Sequence, residues 1–341
     1  MSKVTITGEI RGRRPRPSPP RWRITSLEVL CAVLVLALVG QDWLASLLLD
    51  APRVRTASTT FVAVCVQALP FLVLGVLISG AIAAFVPASA LRRLLPRKEA
   101  LAVPVAGVAG VALPGCECAS VPVARRLMGQ GVAPAAALTF LLAAPAVNPI
   151  VLVSTAVAFK DAPLMVPARF VGSLLTAVVV GWLWTRFGRT EWIAERALAR
   201  VRDHDGTSRW AVFAETARHD LVEAGGYLVL GGVFAAAFKV LVPTEWLETL
   251  AGQVALGVFV MALLAVVLAL CSEADAFVAV SMSTLLSPRL LLVFLVVGPA
   301  VDVKLVALQA GAFGRSFAWR FAPAVFLVAI GCAVLSGVVF L

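Results

Sequence analysis

Residues 114–122 read Pro114-Gly-Cys-Glu-Cys-Ala-Ser-Val-Pro122 and lie between long apolar runs. The stretch sets a carboxylate, Glu117, between two thiols, Cys116 and Cys118, with a proline at either end. A degenerate copy, Leu270-Cys-Ser-Glu-Ala-Asp275, follows about 155 residues later in the same kind of setting. Polar motifs embedded in apolar sequence predict two segments that face each other across a membrane and build a polar site. The rest of the chain then serves to hold and expose that site.

The composition supports this setting. The chain is 61% hydrophobic and 14% charged, with a mean hydropathy of +0.97, which excludes an ordinary soluble domain. Several uninterrupted apolar stretches exceed the ~20 residues that a helix needs to cross a bilayer. Backbone exposed to lipid must satisfy its own hydrogen bonds, and the short alternating strands of a barrel are missing, so the fold class is an all-α polytopic membrane protein. The net charge of +10 sits in the tail and loops, where membrane orientation puts it, and gives no reason to expect nucleic acid. Six cysteines in 341 residues make no disulfide scaffold, and Cys31, Cys65 and Cys332 read as single buried apolar side chains.

Taken in order, 1–25 is a basic, proline-rich tail, read as disordered, cytoplasmic and able to lie on anionic lipid. An extra N-terminal transmembrane helix occupies 26–54. A first permease repeat covers 55–186, an arginine-rich cytoplasmic linker 187–220, and a second repeat 221–341. The spans fall near 26–49, 58–86, 132–159, 162–185, 221–242, 288–312 and 321–341. If each motif segment crossed once, the linker and the basic tail would lie on opposite sides. If each is re-entrant, the tail, 87–100, Arg125-Arg126, the linker and Arg315/Arg320 share one side, as the positive-inside bias asks. The expectation is about seven full spans plus two hairpins, or eight to nine if the hairpins cross.

The halves also match each other. Met128, Pro134, Phe140, Leu141, Pro145, Ala146, Val147 and Asn148 correspond to Met282, Pro288, Phe294, Leu295, Pro299, Ala300, Val301 and Asp302, every pair 154 apart. Upstream, Leu72-Val-Leu-Gly75 matches Leu228-Val-Leu-Gly231 at offset 156. Three spans and a hairpin per unit turn the second unit upside down. Inverted repeats with broken helices meeting at the midplane are the signature of secondary transporters. Pro114, Pro145 and Pro299 are read as the structural helix breaks, with Asn148 and Asp302 just beyond two of them.

The candidate substrate-binding residues follow. Cys116 and Cys118 are too close in sequence for the usual zinc knuckle, but in irregular backbone their sulfurs can converge on one soft ion or an arsenic(III) centre; they are the candidate metal ligands. Glu117 argues for function, because an intramembrane carboxylate is costly. Cys271, Glu273 and Asp275 form the second half and invite proton or cation handling. Asn148 and Asp302 complete the set, with Asp302 and Lys304 read as a structural pair. Arg169 and Lys239 are expected to snorkel to a surface, and His204 and His219 are assigned nothing. No phosphate-binding Gly-x4-Gly-Lys-Ser/Thr loop, no Gly-x-Ser-x-Gly and no His-Glu-x-x-His occurs, so no enzyme activity and no cofactor is expected.

Pro114-Gly-Cys-Glu-Cys-Ala-Ser-Val-Pro122, then Phe140-Leu-Leu-Ala-Ala-Pro-Ala-Val-Asn-Pro149 and Cys271-Ser-Glu-Ala-Asp-Ala-Phe277, resemble the bacterial predicted-permease family of the ArsP/YraQ type, which includes organoarsenical efflux permeases. The resemblance covers about 55–341. It implies a multi-pass permease of the bacterial cytoplasmic membrane, N-terminus inside, with the Cys-x-Cys segment at its functional centre. Two positions depart from the family's pattern: Ala119 stands where Gly is usual, and Glu117 where the arsenical exporters more often carry Ser. The leading expectation is an alternating-access efflux permease for a small solute, a metal or a soft, thiol-reactive metalloid such as a trivalent organoarsenical. The alternative is a membrane thiol–disulfide electron conduit using Cys116/Cys118 and Cys271. Membrane lipid, an accessory membrane subunit and a second copy of the chain are the expected partners.

Overall fold

The computed structural model describes residues 52–86, 96, 98–113, 117–194, 208–241, 254–283 and 286–341. The tail, the helix expected over 26–49, and Pro114 and Cys116 lie outside the described residues. All regular structure among those described is helical. In order, the helices are α1 (Pro52–Phe85), α2 (Glu99–Ala109, continued by a 3-10 turn Gly110–Ala112), α3 (Glu117–Gly129), α4 (Pro134–Val147), α5 (Pro149–Ala158) and α6 (Met165–Phe187). Then come α7 (Arg209–Leu241), α8 (Val254–Leu268), α9 (Ser272–Ser281), α10 (Pro288–Ala300), α11 (Val303–Phe313) and α12 (Arg315–Phe340).

Among the described residues five stretches are long and apolar enough to cross a bilayer: Val54–Phe85, Pro134–Ala158, Met165–Phe187, Pro288–Phe313 and Arg315–Phe340. The second and fourth are α4–α5 and α10–α11, each a helix with one break. They are 72% and 83% buried, against 29–44% for the other three, so the broken helices form the centre of the bundle. The helix expected over 221–242 begins already at Arg209, so its first turns lie in the segment read as linker.

The breaks are local chemistry. Proline disfavours helical backbone in the residue before it, and Asn148 before Pro149 is extended at φ −72°, ψ 156°. Its side chain then caps α5, accepting from Val151 N at 3.0 Å, while its amide donates to Ala144 O at 3.0 Å. Asp302, at the matching position, is extended too and caps α11 by accepting from Leu305 N at 2.5 Å. Pro145 and Pro299 sit inside the last turns of α4 and α10, three and two residues ahead of the extended backbone. The interruptions expected at these prolines therefore fall at 148 and at 301–302.

Packing fixes the course of the motif segments. Gly107 of α2 lies against Thr139 of α4, and Gly110 against Ala143 and Ala144, so α2 and α4 run parallel. Because α3 ends at Gly129 and α4 starts at Pro134, α3 returns to the end from which α2 set out. The second motif does the same. Gly257 of α8 lies against Leu290 of α10 and Gly298 against Ala265, so α8 and α10 also run parallel, and α9 leads back to the start of α10. Both motifs are thus the tips of helical hairpins.

Long helices cross in antiparallel pairs. Phe85 at the end of α1 meets Trp210 at the start of α7 (5.3 Å between rings), while Gly232 lies against Phe61 and Cys65. Trp184 near the end of α6 meets Phe317 near the start of α12 at 5.5 Å, and Ser336 Oγ donates to Ala168 O at 2.6 Å at the other end. α1 packs on α3, and α7 packs on α11; no comparable α1–α5 or α7–α9 contact exists among the described residues. Glycine makes both approaches possible. A Cβ on Gly75 would stand 2.4 Å from Ala119 Cα, and one on Gly231 would stand 2.9 Å from Lys304 Cα.

Candidate functional site

The two hairpin tips meet at one side chain, Lys304, the second residue of α11. Its ammonium lies 2.5 Å from Glu117 Oε1 on the first hairpin and 3.8 Å from Asp302 Oδ2 beside it. From the second hairpin it reaches Ala269 O at 3.4 Å and Cys271 Sγ at 3.8 Å. All of this is closed to solvent: Glu117, Asp302 and Lys304 are each 0% exposed and Cys271 2%. Ala269 has φ 47°, left-handed backbone that costs a non-glycine residue energy. The turn this makes between α8 and α9 interrupts the helix and leaves the Ala269 carbonyl to the ammonium. Glu117 and Asp302 also sit at helix N-termini, where the partial positive charge favours a carboxylate.

A second cation lies alongside. Arg169 of α6 is fully buried; one terminal nitrogen donates to Thr155 Oγ1 on α5 at 2.8 Å and the other to Ser272 O at 2.8 Å, at the start of α9. Asp275 and Glu273 lie within its electrostatic reach. Asp275 Oδ2 abuts Gly298, where a Cβ would come within 2.8 Å of it. The expectation that Arg169 snorkels to a surface is therefore corrected: it reaches inward, because the carbonyl of Ser272 and the nearby acids compensate it there.

Glu117, Glu273, Asp275 and Asp302 face only Lys304 and Arg169, so carboxyl groups outnumber cations by two among the described residues of the site. Glu117 Oε2, Asp275 Oδ2, Asp302 Oδ2 and both oxygens of Glu273 make no hydrogen bond there. An uncompensated buried carboxylate costs several kcal/mol, on the order of 3–5 when a partner is missing. The arrangement is built to accept positive charge, as protons or as a cation.

Of the residues singled out from sequence, Glu117, Cys271 and Asp302 are brought together at Lys304. Cys118 is buried and within reach of the same ammonium. Glu273 and Asp275 gather near Arg169. Asn148 is buried as the cap of α5. Sequence reasoning undervalued Lys304 and Arg169; the signal for both was a charged residue inside an apolar span, the same signal that singled out Glu117.

The far end of α3 carries a charged tie. Arg125 pairs with Glu223 of α7, and Arg126 lies 3.5 Å from Asp220, which also accepts from Ser79 Oγ of α1 at 2.7 Å. His219 Nδ1 is 3.7 Å from Asp220 and 3.9 Å from Glu223. This tie joins Arg125-Arg126 to Asp220 and Glu223, about three to four turns into α7, where the segment expected on the same side of the membrane as Arg125-Arg126 gives way to the expected span.

A family model described as a predicted permease, ArsP_1, matches residues 53–340. The chain is similar to the UPF0718 protein YcgR of Bacillus subtilis, 33% identical over 282 residues that cover 82% of this chain and 96% of the relative. It is similar also to a Streptococcus mutans protein described as a two-component membrane permease complex subunit, 31% identical over 283 residues, covering 82% and 94%. No solved structure matches.

Proposed function

Because the chain belongs to the ArsP_1 family of predicted permeases, we propose that it is a secondary transporter that exports a small, soft, thiol-reactive solute by alternating access. The observation that carries this reading is the meeting of both hairpin tips at a buried charge cluster in the middle of the bundle. Binding sites at interrupted helices, where half-helix ends and freed carbonyls face the solute, are the common design of such transporters.

The same architecture supports an inverted repeat. α1, the α2–α3 hairpin, α4–α5 and α6 answer in order to α7, the α8–α9 hairpin, α10–α11 and α12. The antiparallel crossing of α1 with α7, and of α6 with α12, is what inversion in the membrane plane requires. With the hairpins re-entrant the count is seven spans, the N-terminus lies in the cytoplasm, and the membrane is the bacterial cytoplasmic one. The packing of α1 and α7 on the α3/α11 side alone supports a state closed on that side; the other state exchanges this contact for α5/α9.

Cys116 and Cys118 bind the solute in this reading, Cys271 contributes from the second hairpin, and Glu117, Glu273 and Asp275 handle the compensating charge. The Streptococcus mutans relative's description as a complex subunit supports an accessory membrane partner, which co-purification from native membranes tests. The test of the solute is metalloid and metal sensitivity in a bacterial host stripped of its own exporters. Wild type should confer resistance to trivalent organoarsenicals, arsenite, antimonite or soft divalent metals, and Cys116→Ser/Cys118→Ser should lose it. Protein present in the membrane with no resistance to any of them would refute the soft-solute reading.

A further inference from the structure

We infer that the ammonium of Lys304 is a tethered stand-in for a thiophilic divalent cation, and that Glu117, Asp302, the Ala269 carbonyl and Cys271 are the site such a cation takes when it displaces the lysine. The inference rests on the transporter reading above and names the charge class that its central site accepts.

A carboxylate oxygen at 2.5 Å, a carbonyl at 3.4 Å, a second carboxylate at 3.8 Å and a thiol sulfur at 3.8 Å converge on one point from three different chain segments. These are donors a metal cation can use as well, and the four groups outnumber the three N–H that the ammonium has to give. The backbone at Ala269 stands in a strained conformation with its carbonyl on the same point. Glu117 Oε2 and Asp302 Oδ2, both fully buried, make no hydrogen bond among the described residues, so the site has spare donor capacity.

Charge selects the valence. With Lys304 in place, two cations face four carboxyl groups. With all four carboxyl groups ionised, a monovalent ion in place of the ammonium would leave that balance as it is, whereas a divalent ion moves it one charge toward neutrality, as one bound proton also would. The sulfur selects softness, since thiolate and carboxylate together suit borderline to soft metals better than magnesium or calcium. No group of three metal-binding side chains is already drawn together among the described residues. The donors other than Glu117 must therefore close in by more than an ångström to ligate a metal ion once the ammonium leaves, since carboxylate and thiolate ligands stand roughly 2.0–2.3 Å from such an ion.

A lysine in this role has a transport consequence. The empty site keeps one positive charge without cargo, so the unloaded protein can change state without dragging a bare carboxylate cluster through the bilayer. Cargo and lysine then exclude each other, and affinity is set by how easily the ammonium is displaced.

The test is cadmium binding to the purified full-length protein, read as the concentration of Cd2+ that raises the thermal midpoint, with Na+ as the control. Lys304→Met should respond at least tenfold lower in Cd2+ than wild type. Lys304→Arg, which keeps the charge, should not. Adding Cys271→Ser to Lys304→Met should cancel the gain. Lys304→Gln serves as the second neutral variant if the methionine variant does not accumulate. If neither does, wild type decides: a millimolar Cd2+ shift that disappears in Asp302→Asn supports the site. No gain on neutralising Lys304, a gain indifferent to Cys271, or no wild-type shift where that is the deciding measurement, overturns it. Cadmium binding without a resistance phenotype would leave this site standing and remove the efflux reading. Resistance with cadmium-blind Lys304 variants would do the reverse.

Discussion

Asp220→Ala should loosen the far end of the first hairpin. The carboxylate is 8% exposed, accepts from Ser79 Oγ at 2.7 Å and faces Arg126 at 3.5 Å. Its removal leaves a buried hydroxyl without an acceptor, about 1–2 kcal/mol. It also leaves Arg126, whose Nε already makes no hydrogen bond, without its facing charge. A fully buried pair broken in this way costs ~3–5 kcal/mol. Here the arginine is 16% open to solvent, and about 1–2 kcal/mol is the fitting share. Together the loss is about 3 kcal/mol. That corresponds to about 4 °C in the thermal midpoint of a chain this size, or roughly a hundredfold in any equilibrium that frees α3. The assay is thermal unfolding of the purified protein for Asp220→Ala, Arg126→Met and the pair. The double variant should be less destabilised than the sum by at least ~1 kcal/mol, because Arg126→Met removes the charge that Asp220→Ala strands. Arg218→Ala, at the exposed pair with Glu215, is the control and should shift nothing measurable. Additivity of Asp220→Ala and Arg126→Met within ~0.5 kcal/mol would refute the reasoning.

Glu117→Ala should reduce the yield of folded protein sharply, since it strands a buried lysine, and Glu117→Ala/Lys304→Met should recover much of it, as seen by monodisperse elution from detergent. Gly75→Val and Gly231→Val should each cost about 1–3 kcal/mol or more, because the new side chain meets the backbone of Ala119 or Lys304 rather than a movable side chain; thermal unfolding reads both. Asp302→Ala should destabilise by ~0.5–2 kcal/mol through loss of the α11 cap, whereas Asp302→Asn, which can still accept from Leu305 N, should keep most of that stability in the same measurement.

Much of this architecture was legible in the sequence because membrane chemistry leaves few options. Apolar runs became helices, and the matched blocks at offset 154 became matched breaks, with Asn148 and Asp302 doing the same capping work. The prolines were a less direct guide. Pro145 and Pro299 read as breaks, yet helix continues through both, since a proline deletes one hydrogen bond without forbidding the next turn. The site was half legible. Glu117, Cys271 and Asp302 stood out as acids and thiols in apolar sequence, but their common partner could not be read, because it depends on α11 meeting both hairpin tips. Arg169 was misjudged for the same reason. A long cationic side chain reads as snorkelling until an inward acceptor is known, and that acceptor is a backbone carbonyl, Ser272 O, which no sequence motif announces.

The Glu117–Lys304 pair also sets a problem for the ribosome and the insertion machinery. The lysine is synthesised 187 residues after the glutamate. At ordinary elongation rates of 5–20 residues per second that is an interval of about 10–40 s. Throughout it Glu117 lacks the ammonium that sits on it in the finished fold, and holding an acid without its direct partner at bilayer depth costs ~2.5–3.5 kcal/mol on insertion scales. The nascent hairpin is therefore better kept at the interface, or shielded by an insertase, until α11 emerges. The two halves of this protein are then completed together at the end of translation, and a chain stopped before Lys304 is a substrate for quality control rather than a half-built transporter.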